Sequence, residues 1–226
     1  MLSFAKSRVA KPQVIFLDAV GTLFGVRGSV GEMYLNVTRR FDVELEPDRL
    51  DQAFYASFKA APSMAFPNLL SADLPQHEYA WWQAVAEDTF KRAGIYTEFA
   101  DFPTFFSQLY AYFESAEPWY VYPDTIQFLD YCRQQAVPLG VISNFDSRIH
   151  AVLAALKLTS YFDSFTISTE AGVAKPEPFI FQQALAKHNC SPAVAWHIGD
   201  SYREDYLGAT AAGISAFWLR RGQDLA

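Results

Sequence analysis

The chain has 226 residues, 51% hydrophobic and 19% charged, the balance of one large folded domain or two modest ones and not of a disordered or collagen-like chain. Its net charge of -7, with 18 Lys and Arg that form no cluster, argues against a nucleic-acid partner.

Met1 to Lys11 is short, basic and free of acids, superficially like a targeting segment. The apolar run after it, Val14 to Leu17, is too brief for that and ends at Asp18, with Gly21 beyond. A strand buried on both faces, followed by a turn, has this pattern. The unit recurs late in the chain: Pro138 to Ile142 ends at Ser143-Asn144, Phe165 to Ile167 at Ser168-Thr169, and Val194 to Ile198 at Gly199-Asp200, before Ile214 to Leu219. Between these runs lie segments of helical spacing, such as Ile149, Val152, Leu153 and Leu156. Strands alternating with helices predict a parallel sheet covered on both faces.

From about Phe24 to Glu117 the alternation breaks. Helices are expected over Val30 to Phe41, Pro47 to Ala60, Gln76 to Ala93 and Phe99 to Ser115, in a segment rich in aromatic pairs such as Trp81-Trp82. Pro47 suits a first turn and Gly94 a stop. The reading is a helical domain inserted after the first strand. Gly25, Gly28 and Gly31 fit no phosphate-binding motif and read as a flexible hinge, with Glu117-Pro118 as the second. No apolar run reaches the roughly 18 residues that span a bilayer. Two cysteines, Cys132 and Cys190, are too few for a disulfide framework, so reduced thiols in a cytoplasmic setting are the simpler reading, with no membrane partner.

Open parallel sheets bind ligands beyond the carboxyl ends of their strands. Asp18, Ser143-Asn144 and Asp200 stand at such ends, Lys175 lies in the loop after the run Phe165 to Ile167, and Asp205 follows Asp200 by five residues. Acids converging on one crevice repel unless a cation or a proton joins them. A lysine and a hydroxyl suit an anionic substrate, and the carboxylates suit Mg²⁺, a hard ion held by few protein oxygens.

These residues carry a resemblance. Asp18-Ala19-Val20-Gly21-Thr22-Leu23 resembles the first motif of the haloacid dehalogenase superfamily, and Ile142-Ser143-Asn144 its second. Ala174-Lys175-Pro176-Glu177-Pro178 with Ile180-Phe181 resembles the third, and Gly199-Asp200-Ser201 with Asp205 the fourth. All four motifs stand in the expected order. The resemblance implies an α/β fold with a Rossmann-like parallel-sheet core, residues 1–24 and 118–226, and an inserted α-helical cap, 25–117. It implies Asp18 as the nucleophile that forms an aspartyl phosphate. Lys175 would neutralise the phosphoryl group and orient Asp18. Thr22, Ser143 and the backbone near Asn144 would bind phosphoryl oxygens. Mg²⁺ would be held by Asp18, the carbonyl of Val20, Asp200 and Asp205.

One position departs from the pattern. Phosphatases of the superfamily usually carry a second aspartate two residues after the nucleophile, as proton donor to the leaving group, and here that position is Val20. Losing such a group typically costs about 10²–10⁴-fold. The expected activity is therefore Mg²⁺-dependent hydrolysis of a small phosphorylated metabolite, slow or narrow in scope, by a monomer or weak dimer. The alternative is a catalytically impaired binding protein that uses the same phosphate site and the aromatic cap. Among the remaining residues, Asp146 reads as a helix N-cap and Trp81-Trp82 as cap core. His197 reads as a core residue and His77, His150 and His188 as helix-surface residues. Asp205 pairs either with Arg203 or with Lys175.

Overall fold

The computed structural model describes residues 11–221. The basic stretch Met1 to Lys11 lies, except for its last residue, outside them. In chain order the elements are β1 (Val14–Leu17), β2 (Phe24–Val26), α1 (Val30–Thr38), α2 (Pro47–Ala60), α3 (Leu74–Arg92), α4 (Phe102–Tyr112) and β3 (Trp119–Val121). They continue with α5 (Pro123–Gln134), β4 (Leu139–Ser143), α6 (Ile149–Ala155), β5 (Ser164–Ile167), α7 (Ser168–Ala171), α8 (Pro178–Lys187), β6 (Ala195–Gly199), α9 (Gly208–Ala211) and β7 (Ser215–Trp218).

Five strands form a parallel sheet in the order β5-β4-β1-β6-β7, which gives the expected α/β fold. The strand period of two explains why β1 is apolar throughout. Ile15 and Leu17 pack on one face with Leu129, Val141 and Leu153, while Val14 and Phe16 pack on the other with Ile142, Ile180 and Phe181. The chain runs outward from β1 to β4 and β5, then crosses to β6 on the opposite side of β1. Such a reversal leaves a crevice at the strand ends.

Helices α1 to α4 close over a separate, largely aromatic core that includes Tyr34, Phe54, Phe90, Phe99 and Phe105. Local chemistry sets their starts. Ser29 and Glu32 make a reciprocal capping box on α1, Pro47 opens α2, and the Asp101 carboxylate accepts from the Thr104 amide at the head of α4. The segment expected as a hinge, Gly25 to Gly31, begins inside a strand. Phe24–Val26 pairs antiparallel with Trp119–Val121, so both crossings between the sheet and the helices are joined in one ribbon. Gly25 reads as punctuation in sequence but sits inside a strand, where a Cβ would fall 2.6 Å from the Tyr122 hydroxyl. No helix among the described residues is long and apolar enough to cross a membrane.

Candidate active site

Asp18 leaves the end of β1 and is 7% exposed. The turn after it is tight: Gly21 has φ +89°, and a Cβ there would lie 2.3 Å from an Asp200 carboxylate oxygen. Only glycine lets the nucleophile loop approach the end of β6 so closely. Arg221 fastens the same loop by donating to the carbonyls of Gly21 and Thr22, at 3.0 and 2.6 Å.

Lys175 reaches in from the loop before α8, and its Nζ donates to Asp18 Oδ1 and Asp205 Oδ1, both at 2.6 Å, and to the Ile142 carbonyl at 3.0 Å. The pairing of Asp205 left open by the sequence is thus with Lys175. His197 joins it, with Nε2 2.9 Å from Asp205 Oδ1, while the Ser201 amide donates to Asp205 Oδ2 at 2.9 Å. Both oxygens of Asp205 are engaged. Asp205 rides on a wide π-turn, Tyr202–Leu207, folded tightly against β6, where a Cβ on Gly199 would fall 2.1 Å from its carboxyl carbon. Such turns often mark functional sites.

The other expected site residues lie close by. Ser143 ends β4 and lines the crevice with Asp18, Val20, Asn144, Asp200 and Asp205. The Asn144 side chain accepts from the Lys175 amide at 2.7 Å and donates to the Lys175 carbonyl at 2.9 Å. It therefore fixes the lysine loop, and a phosphoryl group would meet the backbone beside it. The Thr22 hydroxyl is buried and donates to Asp200 Oδ1 at 3.3 Å, so it orients that carboxylate.

Electrostatics follow from three carboxylates gathered on one ammonium. Burial, with Asp205 and Asp200 adding to it, raises the Asp18 carboxyl to about 7 against the pull of Lys175. Burial also works against Asp205, but Lys175 and His197 outweigh it and hold that carboxyl well below the usual range. Burial lowers the His197 imidazole, which favours its neutral form. Ligand oxygens of Asp18, Asp200 and Asp205 all lie within 4.8 Å of one another. Hard oxygen donors with surplus negative charge suit Mg²⁺, and the residues present fit it.

Several participants were not legible as such. Glu204 also lines the crevice, and burial raises its carboxyl. Asp146 stands two residues before the N-cap position of α6, Arg148, and its carboxylate accepts from the Arg148 amide at 2.9 Å, but it does more than cap. It is fully buried, its carboxylate takes the Arg148 guanidinium at 2.9 and 2.6 Å, and it accepts from Trp82 Nε1 at 2.5 Å. Glu78 of α3 is likewise fully buried and accepts from the Ser147 amide, the Ser147 hydroxyl and the Thr169 hydroxyl at 2.9, 2.5 and 2.5 Å. His188 is half-buried at the end of α8, 2.7 Å from the Ser164 hydroxyl, and is no surface residue.

Beyond Val20 a cavity of about 270 Å³ opens between helices and sheet, lined among others by Tyr34, Phe58, Trp82, Phe106 and Phe113. Val20, Asn144 and Phe145 line both cavity and crevice. Trp81 and Trp82 pack against the core of the helical segment, as expected, and Trp82 also forms a wall of this cavity.

A family model described as haloacid dehalogenase-like hydrolase matches residues 12–213. Haloacid dehalogenase-like hydrolase domain-containing protein 3 of Bos taurus is 39% identical over 201 residues, 88% of this chain and 78% of that protein. Phosphoserine phosphatase of Thermus thermophilus is 31% identical over 113 residues, 50% of this chain and 45% of that protein. A solved structure described as a HAD phosphatase from Thermococcus onnurineus shares the fold at a TM-score of 0.62 and 21% identity, over 95% of this chain and 89% of that one. Taken with the four motifs converging on one crevice, these findings establish that the chain belongs to the haloacid dehalogenase-like hydrolase family, in the branch of domain-containing protein 3.

Proposed function

We propose that the chain is a Mg²⁺-dependent phosphatase that acts on a small phosphorylated substrate through an aspartyl phosphate on Asp18. The observation that carries this reading is the buried Lys175 ammonium held between Asp18 and Asp205 at 2.6 Å from each, where those two carboxylates line a crevice with Ser143 and Asp200. A carboxylate so placed serves as a nucleophile, since Lys175 fixes its orientation and leaves Oδ2 to attack. When bound, Mg²⁺ would be held by Asp18, the Val20 carbonyl and Asp200 and would offset charge on the phosphoryl oxygens.

Asp18 attacks phosphorus as the bond to the leaving oxygen breaks, and the leaving group departs with the electron pair. Lys175 and Ser143 meet the phosphoryl oxygens, a positioning and electrostatic role that dominates phosphoryl transfer. Water then attacks the aspartyl phosphate, which returns the Asp18 carboxylate and releases phosphate and a proton. Val20 offers no proton to the departing oxygen, so substrates whose leaving group is stable without one, aryl and acyl phosphates, are favoured over sugar phosphates. The 31% identity to a phosphoserine phosphatase over half the chain supports phosphate chemistry. The test is turnover of acetyl phosphate and 4-nitrophenyl phosphate with and without Mg²⁺. Activity that needs Mg²⁺ and falls at least about 10⁴-fold in Asp18→Asn is expected. Equal rates in the two proteins would remove Asp18 as nucleophile.

A further inference from the structure

The cavity that adjoins the crevice has almost no charge to offer a ligand. Among the described residues Arg148 is the one ionisable cation in its lining, and it is already matched: its guanidinium is paired with buried Asp146, donates to the Tyr110 carbonyl at 2.9 Å and lies 3.6 Å above the Tyr110 ring. The Trp82 indole N–H is given to Asp146, and both amide atoms of Asn144 are held by Lys175. What remains is mainly ring faces and edges, with Phe58 stacked on Trp82 at 5.9 Å between centroids. A second phosphate, a carboxylate or a polyhydroxylated sugar placed here would lose its water without replacement partners. An aromatic ring would gain both burial and ring contacts.

Size narrows the class. An apolar cavity of about 150 Å³ takes up benzene, so about 270 Å³ accommodates one or two fused rings. Position narrows it again, because Val20 forms part of both walls. A group seated in the cavity while its phosphate sits at Asp18 runs past Val20, where no acid assists the departing oxygen. From the cavity and from Val20 independently, we propose that the substrate is the phosphate monoester of a phenol-like aromatic of one or two rings without a second charge. This rests on the phosphatase reading of Asp18. Aryloxide leaves with the electron pair and takes its proton from water, and the net reaction is ester plus water to phenol plus phosphate.

Binding without turnover separates the two claims. In calorimetric titrations with Mg²⁺ present, 1-naphthylmethylphosphonate should bind about 10–100-fold more tightly than methylphosphonate. Phe58→Ala, at a side chain 44% exposed and so compatible with folding, should lower that ratio several-fold. Equal affinities for the two phosphonates, or binding of neither, overturn the inference. So would turnover of glucose 6-phosphate as efficient as that of 1-naphthyl phosphate. Hydrolysis of acetyl phosphate despite equal phosphonate affinities would leave the phosphatase reading standing and remove only the aromatic one. Preferential naphthyl binding without turnover of any phosphate would remove the phosphatase reading and the substrate with it, leaving only an aromatic-binding cavity.

Discussion

The crevice and the cavity share Val20, Asn144 and Phe145, yet they solve opposite problems. In the crevice, three carboxylates and an ammonium crowd together, and glycines at 21 and 199 permit approaches that any Cβ would block. In the cavity, side chains from α1, α2, α3 and α4 meet the sheet with mainly ring and aliphatic surface, and the Trp82 indole and the Arg148 guanidinium are already paired. Charge is concentrated on one side and sparse on the other, and under the proposed reading the crevice would perform the chemistry while the cavity would select what is presented to it. The boundary runs along Val20, Asn144 and Phe145.

The strongest way to break that division is to move charge across the boundary. In Val20→Asp a proton donor stands where the leaving oxygen departs, and alkyl-phosphate turnover should rise by up to about 10²–10⁴-fold, with aryl phosphates gaining less. A series of leaving groups of graded basicity checks this through kcat. No gain for alkyl esters would mean that an acid already acts from elsewhere on the wall, and Glu204 is the carboxyl to remove next.

Removing charge from the crevice should touch metal binding. Asp200→Asn leaves the Thr22 hydroxyl a partner but takes a formal charge from the cluster. Mg²⁺ affinity measured by calorimetry should drop at least about tenfold. Unchanged affinity would take Asp200 out of the coordination set.

On the cavity side the test is mechanical. Glu78→Ala strands the Ser147 amide and two hydroxyls that now donate to one buried carboxyl. Loss of about 1–3 kcal/mol in urea unfolding is expected, because the unmet donors keep their desolvation cost. A loss within error would mean that water or a neighbour replaces Glu78 freely.

The smallest effect is a slope. With Mg²⁺ chelated, Asp18 holds its proton up to about pH 7 in the fold but only to its ordinary 3.8 when unfolded. The folded chain binds more protons through that window, so this group's contribution to stability falls as pH rises from about 4 to about 7. Asp205 is shifted the other way, and its contribution is lost only below its ordinary pKa, as pH falls. Asp18→Asn should therefore flatten the pH dependence between 4 and 7 relative to wild type. Parallel curves would show that Asp18 is ionised throughout that range.

The two regions also differ in how far the sequence reveals them. Asp18, Ser143, Lys175 and Asp200 stand in short motifs at strand ends, where a local apolar run followed by a turn is sufficient warning. The five strands of the main sheet were legible for the same reason, and α2 matches its expected span, since Pro47 fixes its first turn. Partnerships across the chain were not. Glu78 and Ser147 are 69 residues apart, as are Trp82 and Asp146 within five, and nothing near Glu78 distinguishes it from a solvated helix carboxylate. Asp146 resembled an N-cap because its own neighbourhood is a helix start; its further partners come from α3 and from the Arg148 side chain two residues on. The ribbon of β2 and β3 escaped notice because each strand has three residues and its partner lies beyond the whole helical insert. His197 was legible as buried, but its link to Asp205 required the π-turn to fold back on β6.

The run from Asn144 to Arg148 ties these regions into one linkage. Asn144 grips the lysine loop, Asp146 grips Trp82, Ser147 grips Glu78, and Arg148 grips the Tyr110 carbonyl. Four of five consecutive residues thus work as a crankshaft, with one arm on Lys175 and the others on α3 and α4. One span of five residues thus joins helices α3 and α4 to the backbone of Lys175, whose ammonium lies beside Asp18.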